Sequence, residues 1–154
     1  MEIVKAGRED AAAFMALRRA AILDGCAEHY SREQLEAWTD PVTDDEIPDS
    51  SLQHFYVIRQ DGDLIAGGII IIETGTVAAM FVAPGRRGIG LGKAIMAHLV
   101  QIARDAGLKS LNLASTLNAA PFYRSAGFRG DVISTYHSPR GVDLACVPMT
   151  RDLA

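Results

Sequence analysis

The chain has 154 residues, of which 49% are hydrophobic and 22% are charged, and its formal net charge is -4. This length and composition predict one globular domain that buries a sizeable core. The acidic balance disfavours nucleic acid and anionic membranes, whose binding proteins usually carry a basic excess, and it slightly favours a cationic or neutral partner.

The first half of the chain predicts one strand and two helices. Residues 2–6 alternate weakly in hydropathy, as in a strand, and the alanine-rich residues 8–23 carry apolar side chains at helical spacing. A second, short helix is expected over residues 31–38, where Ser31 and Gln34 match a capping box. The acidic, proline-containing residues 39–51 indicate a loop.

The second half predicts the rest of a sheet with two further helices. A strand that returns after a turn at residues 61–63 is apolar from Leu64 to Ile72, as is typical of a strand covered on both faces. The strands are expected over residues 52–60, 64–74, 76–84, 109–115, 128–138 and 142–153, and the helices over residues 88–107 and 118–127.

In chain order the predicted elements are β-α-α-β-β-β-α-β-α-β-β, which is seven strands and four helices. Early antiparallel hairpins and later βαβ-like connections favour an α/β or α+β fold with helices on both faces of one mixed sheet. The longest apolar run is too short to cross a bilayer, and the first residues are not typical of a signal peptide. Cys26 and Cys146 match no metal or redox spacing, so we expect a cytoplasmic protein with free thiols.

Glycines occupy positions 88, 90 and 92 of the segment "RRGIGLGKAIMAHL", between a predicted strand and a predicted helix. Such a loop can bind phosphate, because the first N–H groups of a helix have no intrahelical acceptor. A nucleotide P-loop requires glycine where Arg87 stands and a hydroxyl where Ala94 stands. The dinucleotide fingerprint also fails, since its last glycine would fall on Lys93 or Ile95.

The pattern R-x-x-G-x-G at residues 87–92, after an apolar strand and Pro84, resembles the coenzyme A loop of the GNAT superfamily, the Gcn5-related N-acetyltransferases. Residues 115–128, "STLNAAPFYRSAGF", resemble the second signature of that family. The resemblance covers the chain from residue 52 onward, and the first fifty residues fit in topology alone. It implies a single acyl-CoA N-acyltransferase domain over residues 1–154, with a mostly antiparallel mixed sheet of about seven strands flanked by about four helices.

The resemblance also implies acetyl-CoA as the co-substrate. Its pyrophosphate would bind backbone N–H groups of the glycine loop, and Arg87 and Lys93 would add positive charge; the loop comprises Gly88, Ile89, Gly90, Leu91, Gly92 and Lys93. The backbone near Phe81 and Val82 would pair with the pantetheine amides, in a sheet that opens between this strand and the next. Asn118 would bind the pantetheine arm from the far side, cap its helix, or do both.

Tyr123 is the candidate general acid, because a tyrosine hydroxyl can donate a proton to the departing sulfur of the thioester. Its alternative role is that of a packing aromatic residue. Many relatives place a catalytic base on the strand before the glycine loop, but residues 76–84 contain no carboxylate. Glu73 is the nearest acidic residue and therefore the candidate base, and no pair of histidines suggests a metal.

The acceptor site is expected to come from the first helices and the final hairpin, with Tyr30, Gln34 and Trp38 as candidates. Gln34 and Trp38 are four residues apart and share a helix face, which could bind a ring or a cationic amine. Alternatively, Trp38 anchors the short helix to the core.

The function expected from these features is transfer of an acetyl group from acetyl-CoA to a primary amine of a small molecule, by direct attack in a ternary complex. A peptide or protein acceptor is one alternative. A non-catalytic acyl-CoA sensor is the other, and it is favoured by the missing strand carboxylate. The resemblance further allows a homodimer, whereas no nucleic acid or membrane partner is expected.

Overall fold

A computed structural model describes residues 2–40 and 46–154. Residues 41–45 of the predicted loop over 39–51 lie outside the described residues, as does Met1. Within the described part, the helices are α1 (Ala11–Gly25), α2 (Arg32–Trp38), α3 (Leu91–Asp105) and α4 (Ala120–Ser125). The strands are β1 (Ile3–Lys5), β2 (Phe55–Gln60), β3 (Asp63–Ile71), β4 (Thr76–Val82), β5 (Ser110–Ser115), β6 (Ser134–His137) and β7 (Asp143–Asp152).

The strands form one sheet in the order β1-β2-β3-β4-β5-β7-β6. Every neighbouring pair is antiparallel except β4 and β5, which are parallel. The predicted mixed, mostly antiparallel sheet with helices on both faces is therefore confirmed. In the part of the chain that the structure describes, no helix is long and apolar enough to cross a membrane.

Several predicted boundaries are wrong: the helix predicted from residue 8 begins at Ala11, and the strand predicted to residue 74 ends at Ile71. Three others have a clear local reason. The strand expected from residue 52 begins at Phe55, because a 3-10 turn occupies Asp49–Leu52. The helix expected from residue 88 begins at Leu91, because Gly90 before it has a left-handed backbone with φ +88°. The strand expected from residue 128 is shortened at Gly130, where a Cβ atom would lie 2.2 Å from the Pro148 carbonyl oxygen.

The two faces of the sheet are covered by different helices, and two glycines of β3 permit their close approach. A Cβ atom at Gly67 would lie 2.7 Å from the ring of Phe14 in α1, and one at Gly68 would lie 2.8 Å from Ile95 in α3. β3 is accordingly buried from Ile65 to Ile70, as its unbroken apolar sequence predicts.

Hydrophobic side chains form three clusters around the sheet. The largest lies under α3 and α4, and a second lies under α1. A third, here called the α2 cluster, joins α1 and α2 to the β6–β7 hairpin and reaches Phe81 of β4 and Leu117 just after β5. Its fully buried members are Ile22, Cys26, Tyr30, Leu35 and Leu144.

The parallel strands β4 and β5 are joined at one register position only, Thr76 opposite Asn112. The Asn112 amide closes this junction: its Nδ2 donates to the carbonyl oxygens of Thr74 (2.9 Å) and Gly75 (3.2 Å), and its Oδ1 accepts from the Thr76 hydroxyl (3.0 Å). Beyond this pair the strands diverge, so a gap opens toward the ends of β4 and β5. The expected opening between these strands is thereby confirmed.

We expect Asn112→Ala to lower the free energy of unfolding by about 1–2 kcal/mol, because three side-chain hydrogen bonds at the junction are lost. Chemical denaturation measures the change. Gln101→Ala is the matched control, since this exposed side chain donates only to Asp105 one turn away. Equal stabilities of the two variants would show that the Asn112 amide does not hold the junction.

Candidate functional site

The glycine loop lies at the open end of the gap, between the end of β4 at Val82 and the start of α3 at Leu91. Gly88 and Gly90 have φ values of +82° and +88°, a region that side chains with a Cβ atom rarely adopt. A Cβ atom at either position would meet no protein atom within 4 Å. The left-handed backbone therefore favours glycine at both positions, and the space beside them is open.

The N-terminus of α3 presents unpaired N–H groups to this open space. The first intrahelical bond runs from the Ala94 N–H to the Gly90 carbonyl oxygen at 3.0 Å. The preceding N–H groups, those of Leu91, Gly92 and Lys93, have no acceptor in residues 2–40 and 46–154. Together with the helix dipole they form a site suited to phosphate, and the exposed Lys93 adds a positive charge.

Gly92 has a different function from its two neighbouring glycines. A Cβ atom there would lie 3.3 Å from the ring of Phe122 in α4 and 3.6 Å from Val82 in β4. Gly92 thus lets the first turn of α3 pack closely against α4 and β4. A substitution at this position would disturb packing as well as any ligand.

Arg87 extends from the loop to the C-terminus of α1. Its guanidinium donates to the Ala21 carbonyl oxygen at 3.0 Å and lies 3.1 Å from the Asp24 carboxylate. The side chain is 46% exposed, so this ion pair contributes little to stability. The Arg87 guanidinium therefore lies beside the loop in an ion pair that is still exposed to solvent.

At the mouth of the gap the structure brings Asn118 together with two residues of the segment between α1 and α2. The Cys26 thiol donates to Asn118 Oδ1 at 3.2 Å. The Tyr30 hydroxyl donates to the Ala145 carbonyl oxygen at 2.5 Å and accepts from the Leu117 N–H at 3.0 Å. Tyr30 thereby ties β7 to the segment that follows β5, and its hydroxyl is occupied by these contacts.

Cys26 is a residue near the site that sequence reasoning missed, because nothing in its local pattern indicates a contact with residue 118. Burial raises the pKa of the Cys26 thiol, and its hydrogen bonds with Thr116 and Asn118 and the charge of Arg87 only partly offset this. The residue is 3% exposed. It therefore remains a protonated thiol near neutral pH.

Tyr123 lies in α4 with its ring between Phe122 and Phe128, at centroid distances of 5.3 and 5.9 Å. Burial raises the pKa of Tyr123 to about 12. The Tyr123 hydroxyl has no hydrogen-bond partner among the described residues. His98 Nε2 also lacks a partner there but is buried, whereas the Tyr123 hydroxyl keeps some exposure to solvent. The group is thus a protonated phenol with its hydrogen-bonding capacity unused.

The fold does not bring Glu73 close to the other candidate site residues. It is exposed in the turn between β3 and β4, next to the closed end of the gap at Thr76. The glycine loop begins after the opposite end of β4, about 20 Å away at about 3.3 Å per residue. Glu73 is close to the loop strand in sequence but lies at the wrong end of it.

The face of α2 that carries Gln34 and Trp38 packs on the β6–β7 hairpin. The predicted capping box of Ser31 and Gln34 is confirmed, and Gln34 Nε2 also donates to the Asp143 carbonyl oxygen at 3.3 Å. The Trp38 ring meets Tyr136 edge-on at 6.4 Å, and the guanidinium of Arg18 lies 5.1 Å from its centroid. In residues 2–40 and 46–154 no group of three metal-ligating side chains is assembled.

Comparison with known proteins identifies the family. Residues 26–152 match the model described as acetyltransferase (GNAT) domain, and the chain belongs to this family. It is 40% identical over 55 residues to a glucosamine 6-phosphate N-acetyltransferase of Trypanosoma brucei brucei, covering 36% of this chain and 37% of that protein. It is 36% identical over 81 residues to an IAA acetyltransferase of Azospirillum brasilense, covering 48% of this chain and 53% of that protein. The chain thus spans about a third to a half of the length of these relatives.

Solved structures agree with this assignment over nearly the whole chain. A GCN5-related N-acetyltransferase from Rhodopseudomonas palustris has a TM-score of 0.86 at 26% identity. The superposition covers 98% of this chain and 94% of that chain. The PaiA N-acetyltransferase of Thermoplasma acidophilum, solved with coenzyme A, has a TM-score of 0.79 at 19% identity and 98% coverage of both chains. The second likeness establishes the fold alone.

We expect Gly90→Ala to abolish binding of acetyl-CoA, because the new methyl group would stand in the open space beside the free N–H groups of α3. Isothermal titration calorimetry measures the affinity. Gly62→Ala is the matched control: Gly62 has φ +84°, also faces open space, and lies in the β2–β3 turn.

Both substitutions place a Cβ atom on a left-handed backbone, so each should lower the free energy of unfolding by about 1 kcal/mol. Only Gly90→Ala should lose the ligand. Unchanged affinity in Gly90→Ala would mean that the loop is merely the entry to a helix.

Proposed function

We propose that this protein is an acetyl-CoA-dependent N-acetyltransferase that acts on a primary amine of a small molecule. The observation that carries the proposal is the set of free N–H groups at the start of α3, placed beside the open gap between β4 and β5. The residues present fit coenzyme A: a phosphate site and a strand edge without a partner lie next to each other. Coenzyme A has a pyrophosphate joined to an arm with peptide-like amides.

The donor would be held by backbone groups more than by side chains. Beyond Thr76, the edge of β4 that faces β5 has no strand partner within the described residues, so Phe81 and Val82 can pair with the pantetheine amides. The glycine loop would bind the pyrophosphate, with Arg87 and Lys93 contributing positive charge. Asn118 Nδ2 would face the arm from the β5 side, since Cys26 occupies Oδ1.

Acetyl-CoA, when bound, supplies an activated acetyl thioester. As the acceptor nitrogen bonds to the acetyl carbon and the carbon–sulfur bond breaks, Tyr123 would give its proton to the departing sulfur. A pKa of about 12 keeps this hydroxyl protonated at neutral pH, which suits an acid and not a base. The attacking amine must also lose a proton. Since Glu73 lies at the opposite end of β4 from the glycine loop, this proton would pass to solvent water, and solvent would in turn restore the proton of Tyr123.

Direct attack by the amine is favoured over an acyl-cysteine intermediate. Cys26 is the thiol at the mouth of the gap, and burial holds its pKa above the ordinary value. Because the thiolate is the nucleophilic form, a buried thiol that keeps its proton is a poor acyl acceptor. A small-molecule acceptor is further supported by the name of one relative, whose substrate is the amino sugar glucosamine 6-phosphate.

Release of free thiol from acetyl-CoA across a panel of small amines and peptides tests this function. We expect release with at least one small amine, and a rise in melting temperature with acetyl-CoA but not with ATP. Equal shifts from both nucleotides would contradict the coenzyme A site. Binding of acetyl-CoA without thiol release from any amine would instead indicate a sensor.

We expect Tyr123→Phe to lower kcat about 10²- to 10⁴-fold, the range of a lost general acid, while the affinity for acetyl-CoA is unchanged. Steady-state kinetics and calorimetry separate the two quantities. Tyr56→Phe is the matched control, because both tyrosines are 9% exposed and pack in the same cluster, whereas Tyr56 lies in β2 against His98. Equal kcat values in the two variants would remove Tyr123 from the reaction.

A further inference from the structure

Three arginines converge on the C-terminal end of α2, where the last carbonyl groups of a helix lack intrahelical partners. Each donates to a different main-chain oxygen, namely Arg18 to Trp38 (3.4 Å), Arg19 to Thr39 (3.1 Å) and Arg140 to Asp40 (2.9 Å). The chain as a whole is acidic, so this is a local concentration of positive charge.

Arg18 differs from the other two arginines because it has few other hydrogen-bond acceptors among the described residues. Arg19 also donates to the Thr39 hydroxyl at 3.0 Å, and Arg140 lies 3.9 Å from the Glu46 carboxylate. Arg18 has the one long bond to Trp38, and no carboxylate within 4.0 Å among residues 2–40 and 46–154. A guanidinium carries five N–H donors, so most of those on Arg18 have no acceptor within residues 2–40 and 46–154.

The surroundings of Arg18 make it costly to have no anionic partner among the described residues. The side chain is only partly exposed, with its guanidinium over the Trp38 ring. Burial lowers the pKa of Arg18, Tyr136 partly offsets this by raising it, and the nearby charge of Arg140 lowers it by a smaller amount. A cation that is partly desolvated and faces another cation gains most when an anion binds beside it.

The position of Arg18 connects it to the gap. Trp38 and Tyr136, which flank the guanidinium, pack against the α2 cluster, as do Phe81 of β4 and Leu117 after β5. Phe81 and Leu117 stand on the two sides of the open gap. Arg18 is therefore joined, through Trp38 and the α2 cluster, to both sides of the gap, on the face of the sheet that α1 and α2 cover.

We propose that Arg18 binds an anionic group of the acceptor, so that the acceptor class is amines that also carry a carboxylate or a phosphate. This inference rests on the proposed function for the identity of the amine. The anion would lie against Arg18 with Arg140 nearby, and the amine would point toward the thioester in the gap. An ammonium group would be repelled from the Trp38 face, because a guanidinium already occupies it.

Matched pairs of amines test the inference: glycine against glycinamide, β-alanine against β-alaninamide, and glucosamine 6-phosphate against glucosamine. With the wild-type protein saturated with coenzyme A, we expect one anionic member of a pair to bind at least tenfold tighter than its less charged partner. Arg18→Gln should reduce this preference about 10- to 100-fold, and Arg18→Lys, which keeps the charge and the aliphatic stem over Trp38, should reduce it less. Arg32→Gln, an exposed arginine on α2 paired with Glu36, is the control and should change nothing.

Binding by calorimetry and acetyl transfer by thiol release are measured separately, so the two proposals can fail separately. Anion preference that depends on Arg18, without transfer to any amine, would support the anion site and contradict the acetyltransferase. Transfer with no preference for the anionic member, or with a preference that Arg18→Gln leaves intact, would overturn the anion site alone. The carboxylate pairs and the phosphate pair show which of the two anions the site prefers.

Discussion

The single register pair that joins β4 to β5 is the constraint on which the site depends. Neighbouring parallel strands normally continue their hydrogen bonds along their whole length, but here pairing stops after Thr76 and Asn112. The N–H and C=O groups along the open edge of β4 would be costly to bury without hydrogen-bond partners. Left accessible, they offer a template for an extended ligand. Asn112 holds the strands together at one end, and the divergence beyond it creates the gap.

The open end of the gap is held apart by other long-range contacts. Tyr30 binds both the segment after β5 and the main chain of β7, and Gly92 seats the first turn of α3 on α4. Each contact joins elements that are distant in sequence and fixes one wall of the opening. The free N–H groups at the start of α3 and the side of the gap under α1 and α2 are therefore positioned by the same framework.

Sequence analysis could predict what depends on local pattern. The order of elements, the capping box of α2 and the glycine loop all follow from residues within a few positions of each other. Glu73 shows the limit of this reasoning: proximity in sequence to a strand does not say at which end of the strand a residue lies. The contacts of Tyr30, Cys26 and Arg18 join segments brought together by the fold, and no spacing within the chain indicates them.

The charge of the acceptor side illustrates the same point. A net charge of -4 favours a cationic partner only if the charge is spread evenly, and here three arginines gather at the end of α2. Trp38 does share a helix face with Gln34, but its ring faces the guanidinium of Arg18. Because electrostatic interactions weaken within about 10 Å in salt, these arginines and not the distant acidic surface would act on the proposed acceptor. The local arrangement, and not the overall composition, thus determines the sign of the charge beside Trp38.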